Sequence, residues 1–194
     1  GIAGVTCGVP VSEAWFAGAG SVVGRNATVH LVNPEDTSAT VTIDVYSRDG
    51  LVDTPATQGV VVGPRSTRTL SLTEVAPGAG DVVLHVVTAS GRIAVGVRET
   101  AVLGLTARGV DWIPQSEPPA QRVVVPGLLV GEGKRRLTLF APGTGTTTVD
   151  VGVIGRGGRF VPTGGGPVDI DRGRVTTVRI GKGLVDDDTA VVVD

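Results

Sequence analysis

Proton-transfer, nucleophilic or metal chemistry could draw on two histidines, one cysteine and scattered carboxylates in this chain of 194 residues. Nucleophilic catalysis needs a base within hydrogen-bond reach of the nucleophile. His30 and His85 each fall in alternating stretches that read as strands, and no Gly-x-Ser-x-Gly elbow accompanies them. Both are expected to be satisfied or half-exposed strand histidines. Zinc takes clustered His and Cys ligands, whereas His30, His85 and Cys7 are far apart in sequence. Cys7 has no partner for an internal disulfide and no His or Lys beside it, so it reads as a small buried hydrophobe. Asp186, Asp187 and Asp188 are oxygen ligands of the kind calcium takes, but consecutive loop acids read as a solvated run. An enzyme site would have to be assembled from acids as scattered as Asp44, Asp169 and Asp171. A phosphate cradle needs a strand followed by a helix; the glycines at Gly155 to Gly158 and Gly164 to Gly166 stand between strands and read as hairpin loops. The expectation is no catalytic residue, no cofactor and no metal.

Sugar recognition by sandwich modules rests on exposed aromatics, and aromatics make up only 3% of this chain. Trp15 and Trp112 are the candidate ligand contacts. Each also has a packing role to play: Trp15 or Phe16 entering a core, and Trp112 plugging a domain junction just before Pro114. A net charge of −2 gives no reason to expect nucleic acid. The densest cationic cluster, Lys134, Arg135 and Arg136, reads as a solvated strand start. No apolar run approaches the roughly 20 residues of a membrane span. Asn26-Ala27-Thr28 meets the glycosylation tripeptide, which matters only in a compartment that glycosylates.

The elements that must hold these residues are strands. Val and Thr dominate the periodic stretches, Gly is abundant at 30 and Met is absent. β-branched residues suit a pleated surface, Gly and Pro punctuate turns, and no long 3.6-period run is present. Moving Ala27 to Leu72 along by 108 positions, the distance from Pro34 to Pro142, lands it on Arg135 to Ile180 without a gap. Leu31, Val41, Val45, Gly50 and Val60 then meet Leu139, Val149, Val153, Gly158 and Val168. Two copies of one packed unit would keep such a shared apolar register. The predicted architecture is all-β: two tandem immunoglobulin-like antiparallel sandwiches, spanning 1–113 and 123–194, joined by a Pro-rich linker over 114–122. The first has about seven strands. Carried further, the offset sets Val82 to Val86 against Ala190 to Asp194 and puts the counterpart of Arg92 to Arg98 beyond the chain. The second sandwich is therefore expected to lack its last strand and to present an open edge.

Gly109-Val110-Asp111-Trp112-Ile113-Pro114, then Val125-Pro126-Gly127 and Leu137-Thr138-Leu139-Phe140-Ala141-Pro142-Gly143, resemble a family of uncharacterised secreted actinobacterial proteins. Cys7 with Glu13-Ala14-Trp15-Phe16 is similar to the way their mature parts begin. The resemblance spans nearly the whole chain, rests on turns and junctions, and brings no catalytic residue. It implies an extracytoplasmic, envelope-associated protein with an export segment ahead of Gly1 and more chain after Asp194. The expected function is a non-enzymatic structural or protein-interaction module. Its partner is protein, or a second copy meeting it at the open edge. The alternative is a carbohydrate-binding module for cell-wall polysaccharide using Trp15 or Trp112.

Overall fold

Strict alternation turns this chain into strands with one dry face. Val41, Ile43 and Val45 are buried on one side of their strand, while Thr42, Asp44 and Tyr46 are half-exposed on the other. The computed structural model describes residues 3–6, 8–128, 135–181 and 189–194. Cys7, Lys134 and Asp186 to Asp188 lie outside the described residues. The chain divides into two compact units, Gly1–Pro118 and Pro119–Asp194, the boundary falling inside the Pro-rich stretch.

In the first unit the strands are β1 (Glu13–Ala19), β2 (Arg25–Asn33), β3 (Ala39–Ser47), β4 (Gly50–Leu51), β5 (Val60–Val62), β6 (Ser66–Ser71), β7 (Val82–Ser90), β8 (Ala94–Leu103) and β9 (Thr106–Ile113). One sheet runs β1-β7-β3-β4 with β5 also on β3, and the other runs β6-β2-β8-β9. All pairings are antiparallel. Pairing β2 with β6 and β3 with β7 follows the immunoglobulin plan, while β8 closes onto β2 rather than β7. The expected count of about seven strands omits β4 and β9; β9 forms because Gly104, at φ 57°, turns the chain back along β8. The core between the sheets holds Phe16, Leu31, Ile43, Leu84, Ile93 and Val97, closed by the single helical turn α1 (Leu72–Val75). Full burial of a side chain of this size stabilises the fold by about 1.5–3 kcal/mol.

The second unit comprises β10 (Val123–Pro126), β11 (Arg135–Phe140), β12 (Thr146–Gly155), β13 (Gly158–Phe160), β14 (Gly166–Asp171), β15 (Val175–Ile180) and β16 (Ala190–Val193). One sheet runs β10-β16-β12-β13 with β14 also on β12; β11 and β15 form a two-stranded sheet. The repeat holds at the level of individual pairs. Val32 opposite Thr67, Ala39 opposite Val62 and Tyr46 opposite Leu51 become Phe140 opposite Val175, Thr147 opposite Ile170 and Ile154 opposite Arg159. Each of these residues has moved by 108. Backbone strain repeats as well: Arg65 at φ 48° corresponds to Gly173 at φ 75°.

The last strand departs from the expected alignment. Ile43 faces Val86, but Val151 faces Val193, so Val82 to Val86 correspond to Thr189 to Val193 and not to Ala190 to Asp194. The connection after β15 is one residue shorter than that after β6. Because side chains alternate with period two, a one-residue slip would turn every apolar side chain of β16 to the wrong face. β2 is flanked by β6 and β8, and β8 by β9, whereas β11 pairs only with β15 among the described residues. Among the described residues no helix is long and apolar enough to cross a membrane.

Candidate functional site

Strand register brings Trp15, His85 and Asp44 into one row across β1, β7 and β3, on the face opposite Phe16, Leu84 and Ile43. The Trp15 and His85 rings stack with centroids 3.8 Å apart and planes within 11°. Glu13, two residues before Trp15 and so on the same face, accepts a hydrogen bond from Trp15 Nε1 at 3.0 Å and lies 2.9 Å from His85 Nε2. Asp44 Oδ2 is 3.7 Å from His85 Nδ1. The Trp15 hydrogen bond first, and His85 second, hold the Glu13 carboxyl below its ordinary value. Both nitrogens of the imidazole thus face carboxylates, and on the same face of β3 the Tyr46 phenol has its pKa raised first by burial and second by Asp44. The arrangement orients an indole.

Trp15 is only 8% exposed, although it points away from the core. The segment following β9 lies along the edge of β1, where Ser116 N donates to Trp15 O at 2.8 Å. A shallow groove of about 380 Å³ runs beside it, lined by Val11, Glu13, Trp15, Arg92, Gln115 and Ser116. The first part of the predicted linker is therefore tied to the first sandwich. Trp15 has no open ring face to offer a sugar.

Trp112 sits on the other sheet. It is half-exposed on β9 and its six-membered ring occupies the space above Gly96 of β8, where an added Cβ would lie 3.0 Å from Cζ3. The ring centroid is 5.5 Å from that of His30. His30 is half-exposed, one of the two states expected of it, while its Nε2 is buried with no hydrogen-bond partner among the described residues. Burial first, and Arg98 second, push its pKa down, so the imidazole stays neutral. Each tryptophan of the chain thus lies against one of its two histidines, on opposite outer faces of one sandwich. Sequence reasoning named all four residues without pairing them, because the pairs join strands distant in sequence.

Asp44 belongs to the His85 row, whereas Asp169 and Asp171 accept hydrogen bonds from Thr148 at 2.6 Å and Thr146 at 3.2 Å in the other unit. Gly155 to Gly158 turn β12 into β13 as the expected hairpin, whereas Gly164 and Gly165 lie between β13 and β14, which both pair with β12 and not with each other, so that connection is not the hairpin loop expected. In the second unit, register sets Val124, Val192 and Gly152 where Trp15, His85 and Asp44 stand in the first. There Arg159 lies over Gly152 and bonds Asp150 at 2.8 Å and Asp194 at 2.5 Å.

The edge of β11 is the other feature with binding capacity. Leu137 and Leu139 face the core of the second unit, and Leu137 and Val149 remain partly exposed there. Their counterparts Val29 and Val41 are fully buried beside β8.

A family model described as "Family of unknown function (DUF5719)" matches residues 1–194, and the chain belongs to that family. Among solved structures, the chain is similar to a Thermotoga maritima protein, titled "Crystal Structure of Thermotoga maritima 1070". The two are 13% identical, the match covers 54% of this chain and 93% of the other, and the TM-score is 0.44. No curated protein matches the chain.

Proposed function

We propose that this member of the DUF5719 family is a non-catalytic, extracytoplasmic module of the cell envelope that binds protein through the strand edge of β11. One observation carries the reading: β2 and β11 occupy the same place in two copies of one unit, and among the described residues only β2 pairs with a strand on each side. A sheet edge presents a row of backbone donors and acceptors, and an extended chain that pairs with it gains a hydrogen-bonded ladder. The envelope location rests on the family resemblance of the linker and turn motifs.

Amide hydrogen exchange along β11 and β2 tests the edge. In the isolated chain β11 should exchange much faster than β2, and extended peptides added in excess should slow it. The reading falls if β11 is already as protected as β2, or if no peptide protects it.

One observation favours a second reading, carbohydrate binding: Trp112 is half-exposed on a sheet face that also carries Thr28, Thr69 and Arg98. Titration with cell-wall polysaccharide should then shift tryptophan emission, and Trp112→Ala should abolish the shift while Trp15→Phe keeps it. An unmoved emission spectrum rules this reading out.

A further inference from the structure

The two tryptophan–histidine pairs of the first unit stand in opposite electrostatic settings. Beside Trp15 and His85 lie two carboxylates, Glu13 and Asp44, and the indole is covered. Beside Trp112 and His30 the charge has the other sign. On the outer face of the β6-β2-β8-β9 sheet, register puts Ser71, Thr28, Arg98 and Trp112 in one row. The rows through Asn26, His30 and Val32 lie above and below it. Across these four rows the only residue with a fixed charge is Arg98.

That charge is not neutralised within the unit. Arg98 is exposed and has no ion pair or hydrogen bond among the described residues. The acids beside it in register are engaged elsewhere. Asp111 accepts from the Trp112 backbone N–H at 2.8 Å, and Glu99 accepts from Arg25 Nε at 2.8 Å. The hydroxyls of Thr28 and Thr69, on the same face, have no hydrogen-bond partner among the described residues. A half-exposed indole, an unpaired guanidinium and free hydroxyls thus share one flat surface.

This inference deepens the carbohydrate reading of Trp112 given above and rests on it. We infer that the ligand of this face is an acidic polysaccharide, with one sugar ring on the Trp112 indole and a neighbouring anionic group on Arg98. Residues opposite each other on adjacent strands have Cβ atoms about 4.5–5.5 Å apart, so a substituent of a ring stacked on Trp112 falls within reach of the guanidinium. The planar fork of arginine matches the paired oxygens of a carboxylate or a phosphate group. Thr28 and Thr69 then offer donors and acceptors to the sugar hydroxyls. A neutral polymer laid across the row would take water from the guanidinium and return no counter-charge.

Three oligomers test this on the whole chain: an oligogalacturonate, the same oligomer with its carboxyls reduced to alcohols, and a phosphodiester-linked sugar polymer. In a Trp15→Phe background tryptophan emission reports Trp112 alone, and calorimetry follows variants that lack the indole. At low salt an acidic oligomer should bind about tenfold more tightly than the reduced one, the advantage shrinking as salt screens it. Arg98→Gln, at an exposed position, should remove that advantage; Arg98→Lys should restore part of it. Trp112→Ala should abolish binding of every oligomer. Preference for the uronate assigns carboxylate as the anion, and preference for the phosphodiester polymer assigns phosphate. If the reduced oligomer binds as well as both acidic ones, or the preference survives Arg98→Gln, the acidic ligand is wrong and the carbohydrate reading stands. If no oligomer binds, both fall.

Discussion

The two units are built on one register and seal themselves differently. In the first, β2 lies inside a four-stranded sheet, and Leu31 is 0% exposed; in the second, its counterpart Leu139 is 8% exposed on a two-stranded sheet. Val151 and Val153, under the five-stranded side, are as buried as Ile43 and Val45. The loss reaches both sheets, since Val149 of β12 is also less buried than its counterpart Val41. An identical ladder register does not guarantee an identical core, because burial depends on what flanks a strand as well as on what it pairs with. The polar trimmings differ too. Asn33 is buried and places its amide within 2.8–3.1 Å of the carbonyls of Thr37, Val62 and Gly63, while Ala141 stands at the same place in the second unit.

The sharpest way to break this comparison is a matched pair of core deletions. Leu31→Ala should cost the first unit about 2–5 kcal/mol, as a cavity in a closed core does, and Leu139→Ala should cost the second unit less, because an edge site can collapse. Denaturant unfolding followed separately for each unit measures both, and equal losses would refute the idea that β11 is under-covered. Next in size is Asn33→Ala, which gives the first unit the second unit's residue. It leaves buried carbonyls unpaired and should lower stability by about 1–3 kcal/mol. A neutral result would mean that the loop after β2 is held as well without the amide. His85→Val makes the Trp15 row resemble the second unit; losing a stacked pair should cost about 0.5–1.5 kcal/mol and shift Trp15 emission to the red.

The smallest expected effects are those of pH, and they separate the units by the window in which stability is lost. His30 has its pKa pushed below its ordinary 6.5 by burial. Protonation is therefore disfavoured in the folded state, and the first unit should lose stability as pH falls from about 6.5 through the lower folded value. Both histidines lie in the first unit, so the second should be flat over that window. Glu13, held below its ordinary 4.5 by Trp15 and His85, adds a term that is present above that value and fades as pH falls through the depressed one. Unfolding midpoints of each unit from pH 7 to pH 3 check both slopes. An equal histidine-range slope in the second unit would break the assignment.

Much of the fold was legible before any coordinates. The offset of 108 aligned the strands of the two units, and the pairings then repeat by the same offset, Ala39 with Val62 and Thr147 with Ile170, because alternation and turn residues leave few registers that bury the same side chains. The slip after β15 was not legible, since a loop one residue shorter leaves the valine run at Ala190 to Val193 apolar in either alignment. The candidate site was read in part. Trp15 and Trp112 were singled out for their chemistry, but whether a ring is covered depends on segments far along the chain: Ser116 bonds at Trp15, and Gly96 makes room for Trp112.

What the amino-acid sequence determined by itself is local and periodic: strands, hairpin glycines, a unit used twice, and a composition poor in the residues of catalysis. Those follow from backbone sterics and from apolar spacing, which neighbours in sequence suffice to express. Tertiary structure alone decided which residues meet across a sheet, such as Trp15 with His85 and Glu13. Those are contacts between strands tens of residues apart, and no pattern within a single strand encodes its neighbour.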